Sequence, residues 1–253
     1  MTGAGAWIAL GPADAPAIVF LHGTRLSRAQ WQPQMRHLAT RYRCIAVDLP
    51  GHGALADRAF TRELAVDTVA ASIAAEAREG RALVVGLSLG GYVAIDTADQ
   101  HPDRVAGLVL SGCSTELSGP MALPARAIAW AFEHLPSAAL EAGSRWFFRL
   151  RYPPSIAEPI VEGGFWDVGG GQALRAIMGG RYLERVAWLW TPVLVVNGAL
   201  DPFFGPGGQT MAASCRRGRS AVVRRAMHLA PLDRPRAFSL LVARFAEEVF
   251  RAE

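Results

Sequence analysis

The stretch that most constrains this chain is Gly86-Leu87-Ser88-Leu89-Gly90-Gly91, set between two segments of different character. Before it, Ala82-Leu83-Val84-Val85 is a short unbroken apolar run, as expected of a strand buried on both faces. After it, residues 92–98 read as a helix. A serine at so sharp a strand-to-helix turn must hold strained backbone angles, and its neighbours two positions to either side come close together. Glycine at 86 and 90 has no Cβ to clash there. The turn lifts the Ser88 hydroxyl above the sheet edge and aims the first amides of the following helix at whatever the hydroxyl meets.

The rest of the chain repeats this alternation. Residues 7–10 read as an edge strand, and 17–21 as a buried strand running into His22-Gly23-Thr24. A helix is expected over 27–39, then a strand over 43–47 that opens into Asp48-Leu49-Pro50-Gly51-His52-Gly53. Over 63–79 the apolar positions Val66, Val69, Ala70, Ile73, Ala74 and Ala77 share one helical face. The strand and helix around Ser88 follow, and then a strand over 105–110. Such alternation predicts an α/β fold, a mostly parallel, doubly wound sheet covered on both faces.

The alternation stops near Ser114 and resumes near Thr191. Between them lie helix formers, many aromatics and glycine or proline breaks, including Pro153-Pro154 and Gly169-Gly170-Gly171. A helical cap over 114–186, inserted into a core of 1–113 and 187–253, is the expectation. Trp130, Phe147 and Trp166 are its candidate substrate contacts. After the gap come a strand over 192–196, Asn197-Gly198-Ala199-Leu200-Asp201, a last strand over 221–223, and Ala226-Met227-His228. Asp233, just beyond, reads as a helix cap, and Phe203-Phe204 as rings packed beneath the helical insertion.

Composition narrows the chemistry. All 26 basic residues are arginine; lysine is absent, which excludes a Schiff base to pyridoxal phosphate, a Walker A lysine and a Ser-Lys dyad. A hydrophobic content of 51 % excludes a disordered chain. No apolar run approaches the roughly 20 residues of a membrane span, and the N-terminus has no signal-peptide pattern. Three unpatterned cysteines fit a reduced, cytoplasmic protein. The run Arg216-Arg217-Gly218-Arg219 with Arg224-Arg225 lacks interleaved aromatics and reads as a solvated loop and edge strand rather than a nucleic-acid surface.

Taken together, Leu21-His22-Gly23-Thr24, the 48–53 loop, the serine turn, Gly198-Ala199-Leu200-Asp201 and Ala226-Met227-His228 resemble the α/β-hydrolases, in that family's order and over nearly the whole chain. The resemblance implies an α/β-hydrolase fold with an inserted cap and a nucleophile, acid and base at Ser88, Asp201 and His228. It also implies an oxyanion hole from the Thr24 and Leu89 amides, with no cofactor or metal. Glu116 is the alternative acid. Arg25 departs from the small or apolar residues common after this glycine, and either meets solvent or holds a substrate carboxylate. Serine at the turn sets the chain apart from relatives with aspartate or cysteine there, and the missing lysine from the rubber-tree type of cyanohydrin lyase. The implied activity is hydrolysis of a small to medium, largely apolar ester or lactone through an acyl-enzyme. Two alternatives stay open: carbon–carbon cleavage or elimination on a carboxylate-bearing substrate, as in the similar menaquinone-pathway synthase, and a low-turnover ligand-binding protein. An arginine-lined pocket built from Arg25, Arg126, Arg149, Arg151 and Arg175 would favour the former.

Overall fold

Seven strands form one sheet in a computed structural model that describes residues 5–251. They are β1 (Trp7–Leu10), β2 (Ala17–Leu21), β3 (Arg43–Val47), β4 (Ala82–Leu87), β5 (Val105–Ser111), β6 (Val193–Gly198) and β7 (Gly218–Val223). Their order is β1-β3-β2-β4-β5-β6-β7, with β1 antiparallel to β3 and every other pair parallel. The apolar runs explain this arrangement. Val19, Leu21 and Val84 point into one core cluster, while Ile18, Phe20, Leu83 and Val85 point into another on the opposite face. Both faces therefore need helices.

On the first face lie α2 (Arg62–Glu76) and α3 (Leu89–Gln100); on the second, α1 (Gln32–Leu38) packs on α11 (Pro235–Arg251). Thr61 Oγ1 caps α2 by accepting from Leu64 N at 3.1 Å. The helix expected over 27–39 is split into a 3₁₀ turn at Arg28–Trp31 and α1, which carries Pro33 in its first turn, where a missing N–H costs nothing. The last strand starts three residues earlier than its apolar pattern indicates, because an edge strand exposes residues such as Arg219 and Ser220.

Five helices separate β5 from β6: α4 (Ala122–His134), α5 (Ser137–Arg151), α6 (Pro154–Glu162), α7 (Asp167–Ile177) and α8 (Tyr182–Trp188). The last belongs physically to the sheet layer, for Tyr182 and Val186 are buried in the first core cluster and the Tyr182 ring packs at a tilt on Tyr92, centroids 4.6 Å apart. Gly169-Gly170-Gly171, which the sequence presents as a break, lies inside α7 instead. A Cβ on Gly169 would sit 2.1 Å from Gly51 O, one on Gly170 2.6 Å from Arg25 Cγ, and one on Gly171 2.6 Å from Glu133 Cγ. These glycines let α7 press against the core loops and α4, so close approach rather than chain reversal is their use. Between α9 (Gly208–Ser214) and α11 run β7 and the short α10 (Ala230–Asp233).

The basic run at 216–219 does acquire aromatic neighbours through folding. Arg216 lies 4.1 Å from the Trp190 ring centroid, and Arg219 pairs with Glu248. Among the described residues, no helix is long and apolar enough to cross a membrane.

Candidate active site

Because β2, β4, β6 and β7 run parallel, the loops that follow them emerge at one edge of the sheet. Ser88 sits directly after β4 with φ 52° and ψ −115°, a conformation that a non-glycine residue holds only under constraint. Ser88 N donates to Ser111 O at 2.8 Å, anchoring the turn on β5. The flanking glycines are required at close quarters. A Cβ on Gly86 would lie 2.3 Å from Gly90 O, and one on Gly90 would lie 2.2 Å from Leu21 O at the end of β2. The second contact brings the loop at 22–25 against the head of α3. Leu89 is the first residue of α3, so its amide is among those with no intrahelical acceptor.

Asp201 and His228 meet across the β6 and β7 loops. His228 Nδ1 lies 3.1 Å from Asp201 Oδ2. A carboxylate only accepts, so the proton sits on Nδ1 and Nε2 keeps its lone pair. The Asp201 side chain is almost wholly buried; Phe203 N and Phe204 N donate to its Oδ1 at 3.0 and 3.1 Å. Burial alone would raise the pKa of Asp201, but the bonds from His228 and these two amides hold it below its ordinary value. Phe204 stacks on the imidazole at 4.9 Å, and Gly112, at φ +61°, lies under it; a Cβ there would stand 2.6 Å from His228 Cε1. Phe204 thus packs on His228, and both it and the largely exposed Phe203 line the cavity that the helical insertion closes. Glu116 is engaged elsewhere, accepting from Leu183 N at 2.5 Å.

The loop at 22–26 is held by two histidines. His22 Nδ1 donates to Gly23 O at 2.9 Å while its Nε2 accepts from Leu49 N at 3.0 Å. His52 Nδ1 donates to Pro50 O at 2.8 Å, and its Nε2 accepts from Arg25 N at 3.2 Å. Both rings are fully buried and 4.9 Å apart. Burial brings their pKa values down to about 4 and about 3, so both are neutral at pH 7.

Arg25, at φ +65°, is mostly buried and lines the groove beside α5 rather than the cavity that Ser88 lines. Its Nε donates to Asp167 Oδ1 at 2.5 Å, its guanidinium lies 4.7 Å from the Phe132 centroid, and its carbonyl accepts from Trp166 N at 3.0 Å. It is a joint between the loop at 22–26 and α7.

Ser88 and His228 share the wall of a cavity of about 430 Å³. Thr24, Leu26, Leu87 and Leu229 continue that wall from the core, and Pro124, Ala125, Ile128, Phe132, Leu174 and Ile177 close it from α4 and α7. Among the described residues, no arginine lines this wall. Arg149, Arg151 and Arg175 pair with Glu158, Asp233 and Glu133, and Arg126 is exposed. Of the aromatics expected to touch substrate, none lines this cavity. Trp130 is 53 % exposed and stacks on His134; Trp166 donates to Gly163 O; Phe147 lines a separate groove of about 440 Å³ between α5 and Leu26. Large rings attracted the sequence reading, whereas the cavity face of α4 is mostly small and aliphatic. Its spacing at 125, 128 and 132 was the available signal.

With this geometry in view, residues 18–239 match the model of the alpha/beta hydrolase family. The chain belongs to that family. It is 24 % identical over 247 residues to 3-oxoadipate enol-lactonase 1 of Acinetobacter baylyi, covering 94 % of this chain and 91 % of that one. It is 40 % identical over 99 residues to the pimeloyl-[acyl-carrier protein] methyl ester esterase of Nitrosomonas europaea, a match spanning 38 % of this chain and 37 % of that protein. A thermophilic esterase from Thermogutta terrifontis superposes with a TM-score of 0.80 at 24 % identity, covering 96 % of this chain and 93 % of that one.

Proposed function

We propose that this α/β-hydrolase family member is a cofactor-independent serine hydrolase that cleaves a neutral, largely apolar carboxylic ester or lactone. One observation carries the reading: the Asp201–His228 hydrogen bond of 3.1 Å stands on the wall of the same apolar cavity that Ser88 lines. A serine hydroxyl needs a base to take its proton as it attacks, and His228 presents Nε2 for that purpose. Asp201 fixes the tautomer and stabilises the imidazolium. The acyl carbon bonds to Ser88 Oγ, His228 returns the proton to the departing alcohol, and water repeats the sequence on the acyl-enzyme. The amides of Leu89 and Thr24 receive the oxyanion; losing one such donor typically costs ~10²–10³ in rate.

The cavity wall argues for the substrate class. Its volume lies within the roughly 300–1,000 Å³ of small-ligand sites, and among the described residues no arginine stands on it to meet a substrate carboxylate. The carbon–carbon cleavage and elimination readings called for an arginine-lined pocket, and they lose that support.

A panel of p-nitrophenyl esters from acetate to dodecanoate, together with the mono-p-nitrophenyl esters of succinate and adipate, run with Ser88→Ala beside the wild type, tests the proposal. Turnover should favour uncharged acyl groups over those ending in a carboxylate, and Ser88→Ala should lose at least about 10³ in kcat. Equal rates for the two proteins would reject it.

A further inference from the structure

Asp233 is one of the most thoroughly engaged carboxylates in the molecule. Its side chain is 3 % exposed. Oδ2 accepts from Met227 N at 2.6 Å. Oδ1 accepts from Tyr152 OH and from Arg151 Nη2, each at 2.8 Å. None of these bonds goes to an amide of α11, so the residue is not a cap of that helix. Its donors come from two distant parts of the chain: the residue immediately before His228, and the end of α5 in the helical insertion.

We propose that Asp233 is a positioning residue for His228, through which the end of α5 sets where the imidazole stands; the inference rests on the serine-hydrolase reading above. Met227 N belongs to the peptide just before the one that carries His228 N, so a carboxylate holding it restrains the backbone from which the ring projects. Asp201 restrains the ring itself, and Leu200 N, donating to Ala226 O at 2.8 Å, holds the loop from the β6 side. Asp233 supplies the hold from the opposite side. An apolar cluster containing Phe148, Tyr152, Ile160, Leu26 and Leu232 packs beneath this junction, joining the insertion to both the oxyanion loop and the histidine loop. Burial, aided by the neighbouring Asp233, raises the Tyr152 phenol, which keeps it a donor across the working pH range. Arg151 adds the countercharge.

A carboxylate that only stabilised the fold would change the melting temperature and leave kcat alone. A positioning carboxylate changes the proton-transfer geometry and hence kcat at nearly constant KM. The test uses the full chain with p-nitrophenyl butyrate and a fluorophosphonate that labels Ser88. The variants are Asp233→Asn, Tyr152→Phe and the double, with Arg149→Gln on the outer side of α5 as control. Asp233→Asn should lower kcat about 10- to 100-fold with KM within about 2-fold, the range of a hydrogen bond to a charged group. Tyr152→Phe should lower it about 3- to 10-fold. The double variant should match Asp233→Asn, because both changes act through one contact. The labelling rate of Ser88 should fall in step with kcat, and Arg149→Gln should behave as wild type. Tyr152→Phe, which removes a single hydroxyl, carries the test if Asp233→Asn loses the fold. Wild-type kcat in folded Asp233→Asn or Tyr152→Phe, losses that multiply in the double, or an effect on KM alone overturns the inference. A wild-type protein that neither hydrolyses esters nor labels sinks the serine-hydrolase reading itself, and this inference with it.

Discussion

Acidification should unfold this protein through His22 and His52. Each ring spends Nδ1 as a donor and Nε2 as an acceptor, so adding a proton sets an N–H against the amide of Leu49 or Arg25. The folded-state pKa values of about 4 and about 3 lie below the ordinary 6.5 of the unfolded chain. The unfolded state therefore binds the proton first. The contribution of each neutral ring is intact above pH 6.5 and is lost progressively as pH falls from there toward the folded-state values. At pH 4 each histidine has withdrawn about 3 kcal/mol, about 6 kcal/mol for the two. That is comparable to the whole 5–15 kcal/mol stability of an ordinary domain. Equilibrium urea unfolding at pH 7.5, 6.5, 5.5 and 4.5 measures it, with His52→Gln as the comparison, since its amide oxygen can accept from Arg25 N without titrating. Other acid-sensitive groups are common to both proteins. The wild type should therefore lose stability faster than His52→Gln by about 1 kcal/mol per pH unit below 6.5. Parallel curves for the two proteins would refute the reasoning.

Gly169→Ala places a methyl group 2.1 Å from Gly51 O and should destabilise by about 1–3 kcal/mol, read as a lowered thermal midpoint, despite alanine's higher helix propensity. Ala125→Phe fills part of the wall facing Ser88; octanoate and longer esters should lose at least about 10-fold in kcat/KM while acetate is nearly unaffected, as an acyl-chain panel would show.

The division between what could be read along the chain and what could not follows the range of the forces involved. The serine turn was legible because its requirement is local: Gly86 must clear the backbone of Gly90, four residues away. Even there, the tighter constraint on Gly90 comes from Leu21, far along the chain. The buried strands were legible because period-two burial on both faces leaves continuous apolar runs such as Ala17–Leu21. The edge strand β7 was under-read at its start, where side chains are exposed and carry no such mark. The glycines of α7 were misread because propensity penalises glycine in a helix, whereas contact with Gly51, Arg25 and Glu133 rewards it.

By itself, the order of residues determined the α/β class, the family, and which serine, aspartate and histidine follow the ends of strands. Those properties rest on periodicity and on steric rules that act over a few residues. Only the tertiary structure decided that Arg25 faces Asp167, that Phe204 lies on the imidazole, and that Asp233 joins α5 to the residue before His228. Each depends on residues tens of positions apart, such as Tyr152 and Asp233 at the α5 junction, and the orientation of a side chain depends on what the whole chain packs around it.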